Sequence, residues 1–356
     1  MNRRKFVTGA VTAAAAGAAG FAQQPSSPAT SPATSLPSPP PAAQSRGRGQ
    51  AGRGRGGPAN VPAERLARIE IMTLNHDSIL KLPWRQASPE RTLDVFDLPQ
   101  FYVDSYGVRN VQFQSNHVAQ NYDALDMDYI RQLRAKLDAA GAKANQINIE
   151  IGAMARIGEQ SGKAEALAGD ERAAWLARAK KWVDMAPTLG VKRLMHNQGA
   201  LTDDSKAGVT ALWKELQEYA KPKGIIISGE TRASGPPTLR DQGGVRAVPD
   251  PSMPEKERLR YVWGILWECT QGADAWTNLD FGGDTRFHDQ QELHDAIKGL
   301  MPRASGCMHT RVSPTWDLGT AIHYAESIGY KGVYAIEVND DSAVRIIYNA
   351  ILANLA

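Results

Sequence analysis

The sequence predicts a single (β/α)8 barrel of the TIM type behind a disordered N-terminal segment, and three observations carry that prediction. Eight short apolar or β-branched runs alternate with longer helical patterns from about residue 65 onward. Glycines stand at several joints where a helical pattern stops and the next run starts. No Gly-x-Gly-x-x-Gly turn follows the first run, which disfavours the runner-up, a doubly wound open sheet. Parallel strands need long crossovers, so strands separated by helices close most simply into a barrel.

In chain order the expected strands are Ile69–Asn75, Val108–Gln114, Ala144–Ile151, Val191–His196, Gly224–Glu230, Trp276–Phe281, Ser305–Thr310 and Gly332–Val338. The joints are Gly107, Gly141, Gly190, Gly224 and Gly329, each placed to supply the left-handed residue that ends a helix. Helices are expected over Leu125–Ala140 and Glu171–Leu189 and around Leu212–Tyr219. In the second of these, Trp175, Leu176, Ala179, Trp182, Val183 and Ala186 recur at helical spacing, as a core-facing stripe does.

The first 62 residues read differently. Asn2-Arg3-Arg4-Lys5-Phe6-Val7, followed by the Ala/Gly-rich run Thr8 to Ala22, resembles a twin-arginine export signal. That resemblance implies a periplasmic or extracellular destination for the mature protein. Residues 23–62 are Pro/Ser/Ala-rich and then Arg/Gly-rich, with few apolar side chains to bury, so they are expected to form a disordered linker. The barrel is then expected over 63–356.

Composition excludes several classes. The chain has 356 residues, 42% hydrophobic and 22% charged, with no charge-free apolar run of membrane-spanning length and a mean hydropathy of -0.39, so stable membrane insertion of the mature protein is not expected. Seven of the 41 Lys and Arg residues lie in the first 60 positions, which hold no acid. Beyond them 34 basic residues face 38 acidic ones, a formal charge of −4 that gives no general attraction to nucleic acid. Two cysteines, Cys269 and Cys307, are too few for a disulfide scaffold and are expected as two buried thiols.

In such a barrel the chemistry sits at the C-terminal strand ends. Four ends carry a ligand-type side chain after an apolar run: Glu230 on the fifth strand, Asp280 on the sixth, His309 on the seventh and Glu337 on the eighth. Buried carboxylates are costly unless paired, hydrogen-bonded or bound to a cation. Three carboxylates and one imidazole on consecutive strands would suit Mn2+, Mg2+ or Co2+, with Zn2+ also able to take such a set. Plainer roles stay open: Glu230 and Asp280 as caps of the following turns, His309 as a core histidine, Glu337 as a partner of Arg311.

The chain from 65 to 356 resembles the xylose isomerase-like barrels, a broad group of sugar and sugar-phosphate isomerases and epimerases. The residues that carry the likeness are Leu98-Pro99-Gln100-Phe101, Tyr106-Gly107-Val108, Val111-Gln112-Phe113, His117, Leu279-Asp280-Phe281-Gly282, His309, and Gly329-Tyr330-Lys331-Gly332 leading to Ile336-Glu337. The resemblance implies a divalent metal, Mn2+ foremost, held by Glu230, Asp280, His309 and Glu337, with Glu230 and Glu337 as the catalytic acid/base pair. It implies a sugar isomerase or epimerase that works through an enediolate of a ketose or keto-sugar. Where family members often carry Glu-Asn-His or Glu-Asn-Arg and His-x-Lys-Asp, this chain has Glu230-Thr231-Arg232 and His309-Thr310-Arg311, so the substrate does not carry over.

His117, His196, Arg311, Trp84 and Trp316 are expected substrate contacts, with His76, Asn116 and Asn197 as further candidates near the strand ends. The stretch 231–254 exceeds an ordinary strand-to-helix connection and is a candidate lid or oligomer contact; oligomerisation stays open. Other readings are a keto-sugar lyase or dehydratase on the same site and a non-catalytic sugar-binding barrel. An apurinic-site endonuclease fits poorly with the charge and the histidine count.

Overall fold

The computed structural model describes residues 61–158, 160–231, 253–282, 287–338 and 341–355. Eight parallel strands close a barrel: β1 (Ile69–Met72), β2 (Asn110–Gln114), β3 (Lys143–Ile149), β4 (Arg193–His196), β5 (Ile226–Glu230), β6 (Trp276–Asp280), β7 (Ala304–Thr310) and β8 (Val333–Ile336). Neighbours around the barrel are neighbours in sequence, and β8 returns to β1 with Ile71 opposite Ile336. All eight expected strands are present. β1 stops three residues earlier than expected, because Thr73–Ile79 coils into a tight helical turn at the barrel mouth.

The helices alternate with the strands: α1 (Leu98–Tyr106), α2 (Met127–Ala139), α3 (Gly169–Leu189), α4 (Asp203–Ala220), α5 (Ile265–Gly272), α6 (Gln290–Leu300), α7 (Leu318–Ser327) and α8 (Asp341–Asn354). α1 and α3 end on Gly107 and Gly190, at φ 70° and 82°. This left-handed conformation costs a residue with a Cβ, and it turns each helix end back toward the next strand. The stripe expected in α3 is buried, with Trp182 fully enclosed.

Strand side chains alternate between two environments. Ile71, Val111, Phe113, Ile147, Leu194, Ile227 and Ile336 are buried in the apolar core they share with the helices. The other set fills the bore and is largely polar. Gln112 on β2 reaches His309 on β7, and Gln146 on β3 reaches Asn278 on β6, contacts between strands that are not neighbours in the wall. Buried polar groups of this kind persist because they are hydrogen-bonded to one another.

The expected signal and most of the expected linker, together with residues 232–252 of the candidate lid, fall outside the described residues. Among the described residues no helix is long and apolar enough to cross a membrane. Cys269 and Cys307 are both free and buried, and burial pushes the Cys307 thiol up to about 12.

Candidate metal centre

Glu230, Asp280, His309 and Glu337 converge at the C-terminal end of the bore. Each offers one ligand atom, and these four atoms lie within 4.8 Å of one another. All four residues are buried. His309 Nδ1 lies 2.9 Å from Glu230 Oε1 and 2.7 Å from Glu337 Oε2. Arg311 donates to Glu337 Oε1 at 2.6 Å, and its Nε stands 3.5 Å from Asp280 Oδ1. The pairing of Glu337 with Arg311 was among the plainer roles, and it coexists with the cluster.

Backbone ties hold these strand ends in place. Gln198 Nε2 donates to the Glu230 carbonyl at 2.6 Å. Thr231 Oγ1 accepts from the Asp280 amide at 2.8 Å and stands 3.1 Å from its carbonyl. Asn75, on the turn after β1, donates to the Ile336 carbonyl at 2.8 Å and accepts from the Val338 amide at 2.7 Å, bracketing Glu337. The Gly282 amide donates to Asp280 Oδ1 at 2.6 Å.

The electrostatics are those of crowded anions. Burial opposes a charge on His309, but Glu337, Cys307 and Glu230 outweigh it and hold the ring well above its usual range. Burial likewise works to raise the Glu337 carboxyl, yet His309 and Arg311 prevail and keep it below its usual value. Arg311 stays charged, because Asp280, Glu337 and Glu230 overcome its desolvation.

This donor set fits a divalent cation. Ligands at about 2.1 Å from an ion span about 4.2 Å across it, close to the spacing of the four atoms. Glu337 Oε2 is buried and lies out of line for a hydrogen bond with His309, leaving lone pairs for a further positive partner. The donors on offer are oxygen-rich with one imidazole and no thiolate.

No family model and no curated protein matches this chain. Solved structures do. A xylose isomerase domain protein from Planctomyces limnophilus superposes with a TM-score of 0.52 at 15% identity, over 81% of this chain and 97% of that one. A sugar phosphate isomerase/epimerase from Parabacteroides distasonis gives 0.52 at 13% identity, over 80% and 91%. A xylose isomerase domain protein from Alicyclobacillus acidocaldarius gives 0.51 at 13%, over 80% and 98%. What they share with this chain is the fold.

The expected substrate contacts scatter. Arg311 is in the cluster. His117 has both ring nitrogens engaged, Nδ1 with Thr73 Oγ1 at 2.7 Å and Nε2 with Asp77 Oδ1 at 2.6 Å, so neither is left for a ligand. The His117 hydrogen bond, followed by Arg85, holds the Asp77 carboxyl well below the usual range. His196 packs its ring against Trp175 of α3, at 5.4 Å between centroids, away from the cluster. The alternation of β4 explains this: Arg193 and Met195 share one face, and His196 follows Leu194 toward the helices. Trp84 stacks edge-on against Tyr129, and Trp316 against Phe281, the residue after Asp280. Of the further candidates, His76 meets the Tyr102 hydroxyl at 3.0 Å and Asn197 donates to Glu150, while Asn116 Oδ1 is buried without a hydrogen bond.

Sequence reasoning missed the polar filling of the bore. Gln112 Nε2 lies 2.7 Å from His309 Nε2 and donates to Asn148 Oδ1 at 2.5 Å. Deeper in, Glu70 Oε2 accepts from Asn145 at 2.9 Å and from the Cys307 thiol at 3.4 Å, and Oε1 has no hydrogen bond. Burial raises the Glu70 carboxyl above its usual value. The available signal was polar residues at every second position of buried strands, Asn110-x-Gln112-x-Gln114 and Gln146-x-Asn148.

Proposed function

We propose that this protein is a divalent-metal-dependent isomerase or epimerase of ketoses or keto-sugars, with Mn2+ the ion that suits the site best. The observation that carries the reading is the buried cluster of three carboxylates and one imidazole on β5 to β8, with a permanently charged arginine beside it. Three carboxylates, one guanidinium and a divalent cation sum to zero charge with a neutral His309, which makes burial of the set affordable.

When bound, the cation supplies Lewis-acid polarisation of adjacent carbonyl and hydroxyl oxygens. Glu230 and Glu337 both approach His309 Nδ1, at 2.9 and 2.7 Å, and in this reading they flank the reacting carbon. One glutamate removes the proton beside the carbonyl, giving an enediolate; the other returns a proton from the opposite face, inverting that carbon. Arg311, which already pairs with Glu337 Oε1, lies where it can donate to the developing oxyanion. Burial of the cluster limits water around these charges and strengthens each interaction. Export of the mature protein by the twin-arginine route belongs to the same proposal, and N-terminal sequencing of the secreted form tests it.

The function is tested by deuterium exchange from solvent into a panel of ketoses and keto-glycosides, with and without Mn2+. Metal-dependent exchange that Glu230→Gln and Glu337→Gln each abolish is the expected result. Exchange that survives both substitutions removes their acid/base roles. Products that have lost water in place of changed stereochemistry would assign the chain to the lyases.

A further inference from the structure

A metal-bound imidazole is directed by the hydrogen bond on its other nitrogen. That nitrogen carries the proton, and a nearby acceptor fixes both tautomer and ring angle. In this cluster His309 turns Nδ1 to the carboxylates and Nε2 into the bore, where the end of the Gln112 side chain meets it at 2.7 Å. Gln146 Nε2 also lies near that nitrogen, at 3.5 Å. Both Gln112 and His309 are fully buried, so solvent does not reach Nε2 to substitute for the side chain.

We propose that Gln112 is the positioning residue of the metal centre, its amide oxygen accepting from His309 Nε2–H and so keeping Nδ1 as the ligand nitrogen. This rests on the metal reading of the cluster. As it stands, Gln112 presents its nitrogen, an arrangement that needs a bare Nε2; a ring that ligates through Nδ1 needs the oxygen there instead. A half-turn of the amide exchanges the two atoms in place.

The surroundings permit that half-turn. Gln112 heads a buried chain of four amides: Gln112 to Asn148 at 2.5 Å, Gln146 to Asn148 at 3.3 Å and Gln146 to Asn278 at 3.2 Å. Every link joins an amide nitrogen to an amide oxygen, so turning all four reverses each of these bonds, at the cost only of the weak 3.7 Å bond from Asn148 Nδ2 to Met72 Sδ. The two atoms without a hydrogen bond, Gln146 Oε1 and Asn278 Nδ2, sit toward the far end of the chain, and the reversal replaces them with Gln146 Nε2 and Asn278 Oδ1. The number of unsatisfied atoms among these two residues is the same in both polarities. Behind Gln112, Cys307 Sγ lies 3.7 Å from the amide oxygen; with its one proton directed to Glu70 Oε2, the sulfur is a weak acceptor for the amide nitrogen that the half-turn brings there.

The test uses Zn2+ binding by calorimetry, together with nitrogen-15 spectra of the histidine rings in the Zn2+-loaded protein. In wild type the His309 proton is expected on Nε2, assigned by its loss in His309→Asn. Gln112→Met keeps the volume and removes the acceptor, and it is expected to weaken Zn2+ binding about 10- to 100-fold. Gln112→Glu keeps an acceptor and cannot donate, and it is expected to bind at least as tightly as wild type. Equal affinity of Gln112→Met and wild type, equal weakening of both variants, or a proton on Nδ1 in the loaded protein would each overturn the assignment. If Gln112→Met does not fold, weakened binding by Gln112→Glu alone overturns it. Failure of the wild-type protein to bind any divalent cation removes the metal reading, and this inference with it; binding by wild type with no response at Gln112 removes this inference only.

Discussion

His196 gives a prediction whose size follows from its surroundings. Its ring is fully buried beside Trp175, neither nitrogen has a hydrogen bond, and desolvation depresses its pKa from 6.5 to about 3. The folded value lies below the unfolded one, so between them the unfolded chain binds a proton that the native protein refuses. Stability from this group is therefore complete above about pH 6.5 and is lost as pH falls toward the folded value. One pKa unit is worth about 1.4 kcal/mol, so lowering the pH from about 7.5 to about 5.0 costs roughly 2 kcal/mol through this single ring. His196→Leu removes the titration while keeping an apolar group against Trp175. Urea unfolding of both proteins in EDTA gives the difference in stability at each pH. The leucine variant is expected to gain about 2 kcal/mol on wild type between the two conditions, whatever their difference at the higher pH. A difference that stays constant with pH within about 0.5 kcal/mol would refute the argument, because it would mean that the folded protein protonates His196 as easily as the unfolded chain does.

Three further outcomes are expected. Glu70→Gln should raise the Tm in alkaline buffer and leave it unchanged at low pH: the folded carboxyl is raised above 4.5, so its penalty is absent below that value and grows as pH climbs toward the folded pKa. A fall in alkaline Tm would show that the charge is needed. Gly229→Ala should destabilise the protein by about 1–3 kcal/mol, since the new Cβ would stand 2.3 Å from the Trp213 ring, and it should weaken metal binding by displacing the adjacent Glu230; an unchanged unfolding midpoint would contradict the packing. Mn2+ at a hundred times its dissociation constant should stabilise the native state by about 2.7 kcal/mol, reversibly with EDTA, and a Tm indifferent to every divalent cation would count against the cluster as a metal centre.

Much of the barrel was legible because its signals are local. A glycine past a helix end, an apolar run of strand length and a stripe at helical spacing each act over a few residues, and Gly107, Gly190 and the α3 stripe behave as their neighbours in sequence dictate. The four cluster residues were legible for a related reason: a charged side chain closing a buried strand of a barrel has few places to go but the mouth. The face a side chain chooses was harder to read. His196 looked like Glu230, a polar group at a strand end, yet one step of the pleat sends it to the helices. His117 sits at the mouth but spends both nitrogens on Thr73 and Asp77. The amide chain from Gln112 to Asn278 joins positions more than 160 residues apart, and only the closed wall brings them together.

The wall closes at the seam where β8 meets β1, beside Glu337. Glu337 follows β8, which finds its edges only on β7 and β1, and Asn75 from the opposite end of the chain bolts its flanking backbone in place. A half-made cylinder therefore has three of the four grips and no means of aiming the fourth. On the proposed metal reading, tight capture of an ion requires the first and final staves to have met, so the rate at which a refolding chain takes up added Mn2+ would report completion of the whole domain.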